Sequence, residues 1–272
     1  MWLALDGVGH PHDASPGSPW EMELPTLRPV IDRGQALDAR LGVEGLPQSA
    51  TGQTSWLTGE NAAAAMGHHY GPRPGPSLRP LLERALPTRM KRTGLRAKLL
   101  NFYPPPYFQR TRFQHGCFPL SLLLAGGELN PQDFPSVPPP LGLEFEFPWR
   151  ATNHLEEVRK LGEEVGKSAE NADLLILDLW FSDLLGHAGG PGARPELQAA
   201  ARAYLLRLDA LLSGIVEAGA RAVMTSDHGN FENLSVKTHT LARVPFAGAG
   251  LTLPPAKDIA GGGRAIASLF GL

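Results

Sequence analysis

Three apolar runs in this chain, Met1–Leu5, Leu174–Trp180 and Arg221–Thr225, are each followed within a few residues by an aspartate, at Asp6, Asp183 and Asp227. Short apolar runs bounded by turn residues read as strands buried on both faces. The two later runs flank Pro195–Ala218, which reads as one long helix. A strand, helix, strand order calls for a right-handed crossover and parallel pairing. The chain is therefore expected to be an α/β protein with a mostly parallel central sheet and helices on both faces. In such a sheet the three aspartates gather at one carboxyl edge, where open α/β folds bind ligands.

The rest of the pattern supplies the helices. Pro29–Leu41 reads as a helix, as does the Ala-rich Gln53–Met66, with Ser49 just ahead of its amino terminus. Leu78–Leu86 is a third helix, and Leu95–Tyr103 turns from helix toward strand before three prolines, Pro104 to Pro106, stop it. In His154–Ala169, Leu155, Val158, Leu161 and Val165 recur at helical spacing among Glu and Lys. From Gln109 to Arg150 proline is dense and periodicity poor, with one short helix expected near Pro119–Leu124. Residues 70–150 are expected to form a loop-rich partial cap within a single domain spanning 1–272.

Composition narrows the function. With 42 % hydrophobic and 19 % charged residues over 272 positions, the chain can bury its own core without covalent staples. A formal net charge of -2 offers no general field for nucleic acid, and Arg84 to Arg96 reads as a solvated helix face. The lone Cys117 excludes an intrachain disulfide framework and suits a reducing compartment. Asp6 interrupts the first apolar run too early for a secretory leader, and no run reaches the ~20 residues of a membrane span. A cytoplasmic protein with neither nucleic-acid nor membrane partner is expected.

Asp183 and His187 are four apart, so on one helical turn both side chains can grip the same ion, with His239 available to complete the set. Asp227 and His228 precede Gly229 on a tight turn after a strand, and Asp6 and Gly7 stand likewise. Clustered carboxylates repel one another unless cations neutralise them, so the projected convergence of three Asp and three His points to two metal ions. Such a pair suits phosphoryl transfer, because metal coordination can bring bound water from a pKa of 15.7 to about 7 and a serine hydroxyl responds to the same field. Ser49 is the favoured nucleophile by location, since the following helix end also favours an incoming phosphate. Thr51 and Ser55 are the alternatives. The donor set suits Mn²⁺ or Zn²⁺ nearly equally, with Mg²⁺ a third option.

In order and spacing, Leu3-Ala4-Leu5-Asp6-Gly7, Ser49-Ala50-Thr51-Gly52, Asp183-Leu184-Leu185-Gly186-His187-Ala188-Gly189, Asp227-His228-Gly229-Asn230 and Thr238-His239-Thr240 resemble the alkaline phosphatase superfamily. Within it they are most similar to the metal-binding domain of the cofactor-independent phosphoglycerate mutases. The resemblance implies an alkaline-phosphatase-like core. It implies one metal on Asp183, His187 and His239, a second on Asp6, Ser49, Asp227 and His228, and a Ser49 that is transiently phosphorylated.

Two departures stand out. Gln53 replaces the His that follows the nucleophile motif in the mutases, and the Pro-rich stretch stands where they insert a second domain. The expectation is thus a two-metal hydrolase of a small phosphate ester, with a phosphoglycerate-type mutase or a silent metal-binding relative as alternatives. Cys117-Phe118-Pro119-Leu120-Ser121 lacks the Arg of a sulfatase signature and reads as a buried thiol. His10, His12, Arg73, Arg110 and Arg112 are possible substrate contacts, more simply surface loop residues.

Overall fold

In the computed structural model, which describes residues 1–109 and 114–272, a six-stranded sheet has the order Gln35–Leu37 (β2), Val244–Ala249 (β6), Ala222–Ser226 (β5), Trp2–Leu5 (β1), Leu174–Leu179 (β4) and Ala97–Leu99 (β3). At its centre lie β1 (Trp2–Leu5), β4 (Leu174–Leu179) and β5 (Ala222–Ser226), with β1 parallel to both neighbours. Every residue of these three strands is buried, as continuous apolar runs require when helices cover both faces. Alternation splits β1 between two cores. Leu3 and Leu5 join the one beneath α1 (Leu27–Asp32), α7 (Leu155–Ser168) and α9 (Pro195–Glu217), whereas Trp2 and Ala4 join the one beneath α2 (Ser49–Thr58) and α10 (Ile259–Ser268).

The edges differ from the expectation. The helix placed at Pro29–Leu41 ends at Asp32, and Gln35–Leu37 is instead β2, paired antiparallel with β6 (Val244–Ala249). Gly34 marks the switch: a Cβ there would lie 2.8 Å from the Phe246 carbonyl oxygen, so only glycine lets the chain come this close to β6. Strand pairing here overrides local helix preference. β6 itself is antiparallel to β5, which makes the sheet mostly parallel rather than wholly so. Pro245 and Gly248 hide it as a strand in the sequence.

The helix placed at Gln53–Met66 is two helices. α2 begins at Ser49 and ends where Gly59 takes φ 74°, and α3 (Ala62–Met66) follows, capped by the Asn61 side chain. Ser49 therefore stands in the first turn of α2 rather than ahead of it. α10 was not anticipated because Gly261, Gly262 and Gly263 are poor helix formers. Their smallness serves packing: a Cβ on Gly262 would lie 2.3 Å from the Trp56 ring, and one on Gly263 would lie 2.4 Å from the Trp56 carbonyl. α10 thus lies close against α2 and fixes the helix that carries Ser49.

Residues 75–150 supply α4 (Gly75–Leu82), α5 (Leu86–Arg92), β3 (Ala97–Leu99) and α6 (Cys117–Leu124), followed by irregular chain. β3 is parallel to β4 at the sheet edge. No helix among the described residues is long and apolar enough to cross a membrane.

Candidate metal centre

The carboxyl edge of the sheet gathers the sequence candidates into two groups. Asp183, His187 and His239 offer ligand atoms all within 4.8 Å of one another, and so do Asp6, Asp227 and His228. Asp6 follows β1 and Asp227 follows β5, while β4 leads into α8 (Phe181–His187), whose single turn presents Asp183 and His187 together.

In the first group His187 Nε2 stands 3.1 Å from His239 Nε2 and 3.3 Å from Asp183 Oδ2. The other ring nitrogens settle which atoms can ligate. His187 Nδ1 lies 2.8 Å from the Lys237 carbonyl oxygen and His239 Nδ1 lies 2.6 Å from that of Pro47. A carbonyl only accepts, so each Nδ1 carries a proton and each neutral ring turns an Nε2 lone pair toward the other. Two lone pairs at that separation repel unless a proton or a cation lies between them. Fixing the far nitrogen on a carbonyl is also how metal-binding histidines are oriented.

In the second group His228 Nε2 lies 3.2 Å from Asp6 Oδ1, 3.8 Å from Asp227 Oδ2 and 3.1 Å from the Ser49 hydroxyl. The Gln53 amide donates to Asp6 Oδ2 at 2.9 Å and to Asp227 Oδ2 at 3.0 Å, holding the two carboxylates side by side from one turn along α2. The Gly7 backbone N–H donates to Asp227 Oδ1. Asp6 Oδ1 is buried and accepts no hydrogen bond among the described residues. The His228 and His239 rings stack at 3.7 Å and join the two groups.

The electrostatics express the crowding. Burial, then the charges of Asp227 and Asp183, push the Asp6 carboxyl well above its usual range, and burial raises Asp227 as well. Burial alone would keep His228 neutral, yet Asp227, Asp6 and Asp183 outweigh it and push the ring up to about 10. His239 is brought down to about 4 by burial and then by His228. Without cations, protons balance the clustered carboxylates. The donor set of three carboxylates and three imidazoles fits divalent metal.

Neighbouring residues hold these groups in place. Asn230 Nδ2 donates to Asp183 Oδ1 at 2.8 Å. The buried Glu232 accepts from the backbone N–H groups of Gly9 and Asn230 and from the Thr240 hydroxyl. Sequence reasoning gave neither residue a role. Asn230 closes the Asp-His-Gly-Asn motif, which was a usable signal, whereas Glu232 lies in an irregular loop with none.

The fallback hydroxyls are otherwise committed. Thr51 Oγ1 donates to the Gln48 carbonyl and accepts from the Tyr70 N–H, and Ser55 Oγ donates to the Thr51 carbonyl. His10 and His12 pack on each other 4.5 Å apart, and neither lines the cleft above the two groups. Arg73 does line it, while Arg110 and Arg112 lie outside the described residues. Cys117 is buried against the Ala50 carbonyl and Thr54, and burial raises its thiol.

α2 meets the Asp227 turn through Gly52, where an added Cβ would lie 2.8 Å from the Asp227 carbonyl oxygen. Gly52→Ala is expected to cost about 1–3 kcal/mol of stability by overpacking and to displace Ser49 from His228. Thermal melts and the activity of the variant, measured together, check this; an unchanged melt would show that α2 can yield.

The cleft has a volume of about 850 Å³ and reaches from Asp6, Ser49 and Asp183 to a wall carrying Phe102, Tyr103, Tyr107, Phe145 and Trp180. A second hollow, between the start of β1 and the end of α10, carries none of the clustered groups.

No protein-family model matches the chain. A 2,3-bisphosphoglycerate-independent phosphoglycerate mutase of Halobacterium salinarum is 34 % identical over 94 residues, which are 33 % of this chain and 17 % of the mutase. A Pyrococcus horikoshii protein of solved structure superposes with a TM-score of 0.51 at 14 % identity, covering 92 % of this chain and 85 % of the other. A candidate sulfatase from Bacteroides thetaiotaomicron superposes with a TM-score of 0.53 at 12 % identity, covering 100 % and 70 %. At these identities the likeness is one of fold alone, a mostly parallel α/β sheet with helices around it.

Proposed function

We propose that the protein is a two-metal phosphoryl-transfer enzyme that hydrolyses a small phosphate ester through a phosphoserine on Ser49. The observation that carries this reading is the pair of facing Nε2 atoms of His187 and His239, 3.1 Å apart with both Nδ1 protons already given to carbonyls. Asp183, His187 and His239 would hold one divalent ion, and Asp6, Asp227, His228 and Ser49 the other. Bound there, the ions supply a field that favours the Ser49 alkoxide and the charge developing on the phosphoryl group.

The chain's own residues do the positioning. α2 sets Ser49 at the floor of the cleft, and the backbone N–H groups of its first turn favour an anion. Gln53 keeps Asp6 and Asp227 parallel, and Asn230 keeps Asp183 turned toward the two histidines. Ser49 Oγ forms a bond to phosphorus while the ester oxygen departs with the electrons of its P–O bond and takes up the proton that the serine gives up. Water then cleaves phosphoserine, releasing inorganic phosphate and restoring the hydroxyl. Loop residues from this region, among them Pro72, Arg73, Phe102, Pro104 and Phe145, line the cleft and would serve as the partial cap over this floor.

The 94-residue similarity to a phosphoglycerate mutase favours a second reading, return of the phosphoryl group to the same substrate. The chain matches 17 % of that mutase, so hydrolysis is the first reading. Incubation of the Mn²⁺-, Zn²⁺- or Mg²⁺-loaded protein with 4-nitrophenyl phosphate is expected to release phosphate between pH 6 and 9. Interconversion of 2- and 3-phosphoglycerate without phosphate release would establish the second reading instead, and inertness toward both substrates would leave a metal-binding relative.

A further inference from the structure

Asp178 lies one residue inside the end of β4, and its backbone N–H and C=O are both taken by the Asn101 side chain, at 2.8 and 2.7 Å. Its carboxylate has no such partner. It makes no hydrogen bond or ion pair among the described residues, although the residue is only 7 % exposed, and its open side faces the cleft. Tyr103 lines the same wall, is also 7 % exposed, and its hydroxyl likewise makes no hydrogen bond among the described residues. Burial, and after it the charge of Asp178, raise this phenol above its ordinary range.

A carboxylate that deep is costly unless something pairs with it, and buried polar groups without partners mark the places where a ligand completes the set. The surroundings define the ligand's charge. Tyr103 packs on Tyr107 with ring centroids 4.4 Å apart, and Phe145 packs on Trp180 at 5.8 Å, so π faces and the unpaired Asp178 carboxyl line one cleft. Aromatic walls around a carboxylate favour an organic cation. The same cleft also carries a cation for an anion to meet, Arg73, two residues beyond Gly71, which abuts Gln48 and the Ser49 backbone.

We propose that the cleft takes a phosphate ester whose alcohol portion carries an ammonium group, with that ammonium held between the Asp178 carboxylate, the Tyr103 hydroxyl and the aromatic wall. The inference deepens the phosphoryl-transfer reading of this site and rests on it for the position of the phosphate. Asp178 here is a specificity residue for the leaving group.

The test compares 2-aminoethyl, 3-aminopropyl and 4-aminobutyl phosphate with their hydroxyalkyl counterparts on the metal-loaded protein. At least one aminoalkyl ester is expected to show a kcat/KM about tenfold or more above its hydroxyalkyl partner, the effect of one charge-assisted hydrogen bond. That ratio is expected to fall toward one in Asp178→Asn, which keeps the shape of the side chain. Equal rates within every pair in the wild-type protein, or a preference that survives the substitution, would overturn the proposal. Binding is read separately, with no turnover required. Butylammonium is expected to shift the Trp180 indole signal saturably by NMR, and butanol is not. If 4-nitrophenyl phosphate is inert while butylammonium binds, the phosphoryl-transfer reading fails and the cation subsite stands; if the aryl ester turns over and butylammonium does not bind, the subsite fails alone.

Discussion

Ser49→Ala is expected to lower kcat toward an aryl phosphate by about 10³-fold or more while leaving the protein folded. The hydroxyl stands 3.1 Å from His228 Nε2 at the start of α2. No other hydroxyl of that helix can replace it, because Thr51 and Ser55 are bound to backbone carbonyls, Thr58 donates to that of Thr54, and the fully buried Thr54 hydroxyl faces the Cys117 thiol, away from the cleft lining. The stability cost is one hydrogen bond, about 1 kcal/mol, which for a domain of this length moves the melt by roughly 2–4 °C. Loss of activity with a near-native melt therefore separates a nucleophile from a structural serine. Acid-quenched turnover should also leave a phosphorylated peptide containing Ser49 in the wild-type protein and none in the variant. Residual turnover within tenfold of wild type would transfer the role to water and remove the covalent step.

Why the strand-end aspartates could be singled out from sequence, while β6 and α10 could not be seen, has one physical explanation. The central strands are buried on both faces, so their apolar runs are continuous and end abruptly at the residues that face solvent or ligand. Asp6, Asp183 and Asp227 mark those ends in the sequence itself. The pairing of Asp183 with His187 was legible for the same local reason, a single turn of helix. By contrast, β2, β6 and α10 owe their form to distant contacts. Gln35–Leu37 becomes a strand because β6 lies beside it, and Gly262 and Gly263 stay helical because Trp56 fills the space where their side chains would be. Asp178 escaped notice for a related reason: within Leu174–Trp180 it reads as one polar residue in a buried strand, and only the fold shows that its carboxylate opens into a cleft.

The metal-free protein is expected to lose stability as pH rises above neutrality, and a divalent cation is expected to abolish that loss. His228 has an ordinary value of 6.5 and is held up to about 10, burial opposing its charge and Asp227 and Asp6 outweighing it. A group whose folded-state pKa is raised stabilises fully below its unfolded value and ceases to do so as pH rises through the folded one. For His228 that window runs from 6.5 to about 10. Asp6 and Asp227, also raised, act with the same sign from 3.8 upward. His239, lowered to about 4, has the opposite sign, but its contribution is complete above 6.5. The Met1 amino group, brought down to about 6 chiefly by burial, opposes the fall only up to its ordinary value of 8. Between pH 8 and 10 the chelated protein should therefore lose roughly 5–10 °C of melting temperature. With Mn²⁺ or Zn²⁺ at about 100 times its dissociation constant, stabilisation of about 2.7 kcal/mol adds to the melt, and it grows with pH because deprotonated ligands bind metal more tightly. Calorimetry of chelated and metal-loaded protein across that range measures both slopes. A His187→Ala, His239→Ala double variant should lose much of the cation-induced rise. If the cation raises its melt as far as that of the wild type, the ion binds somewhere other than between those two rings, and their 3.1 Å approach needs another cause.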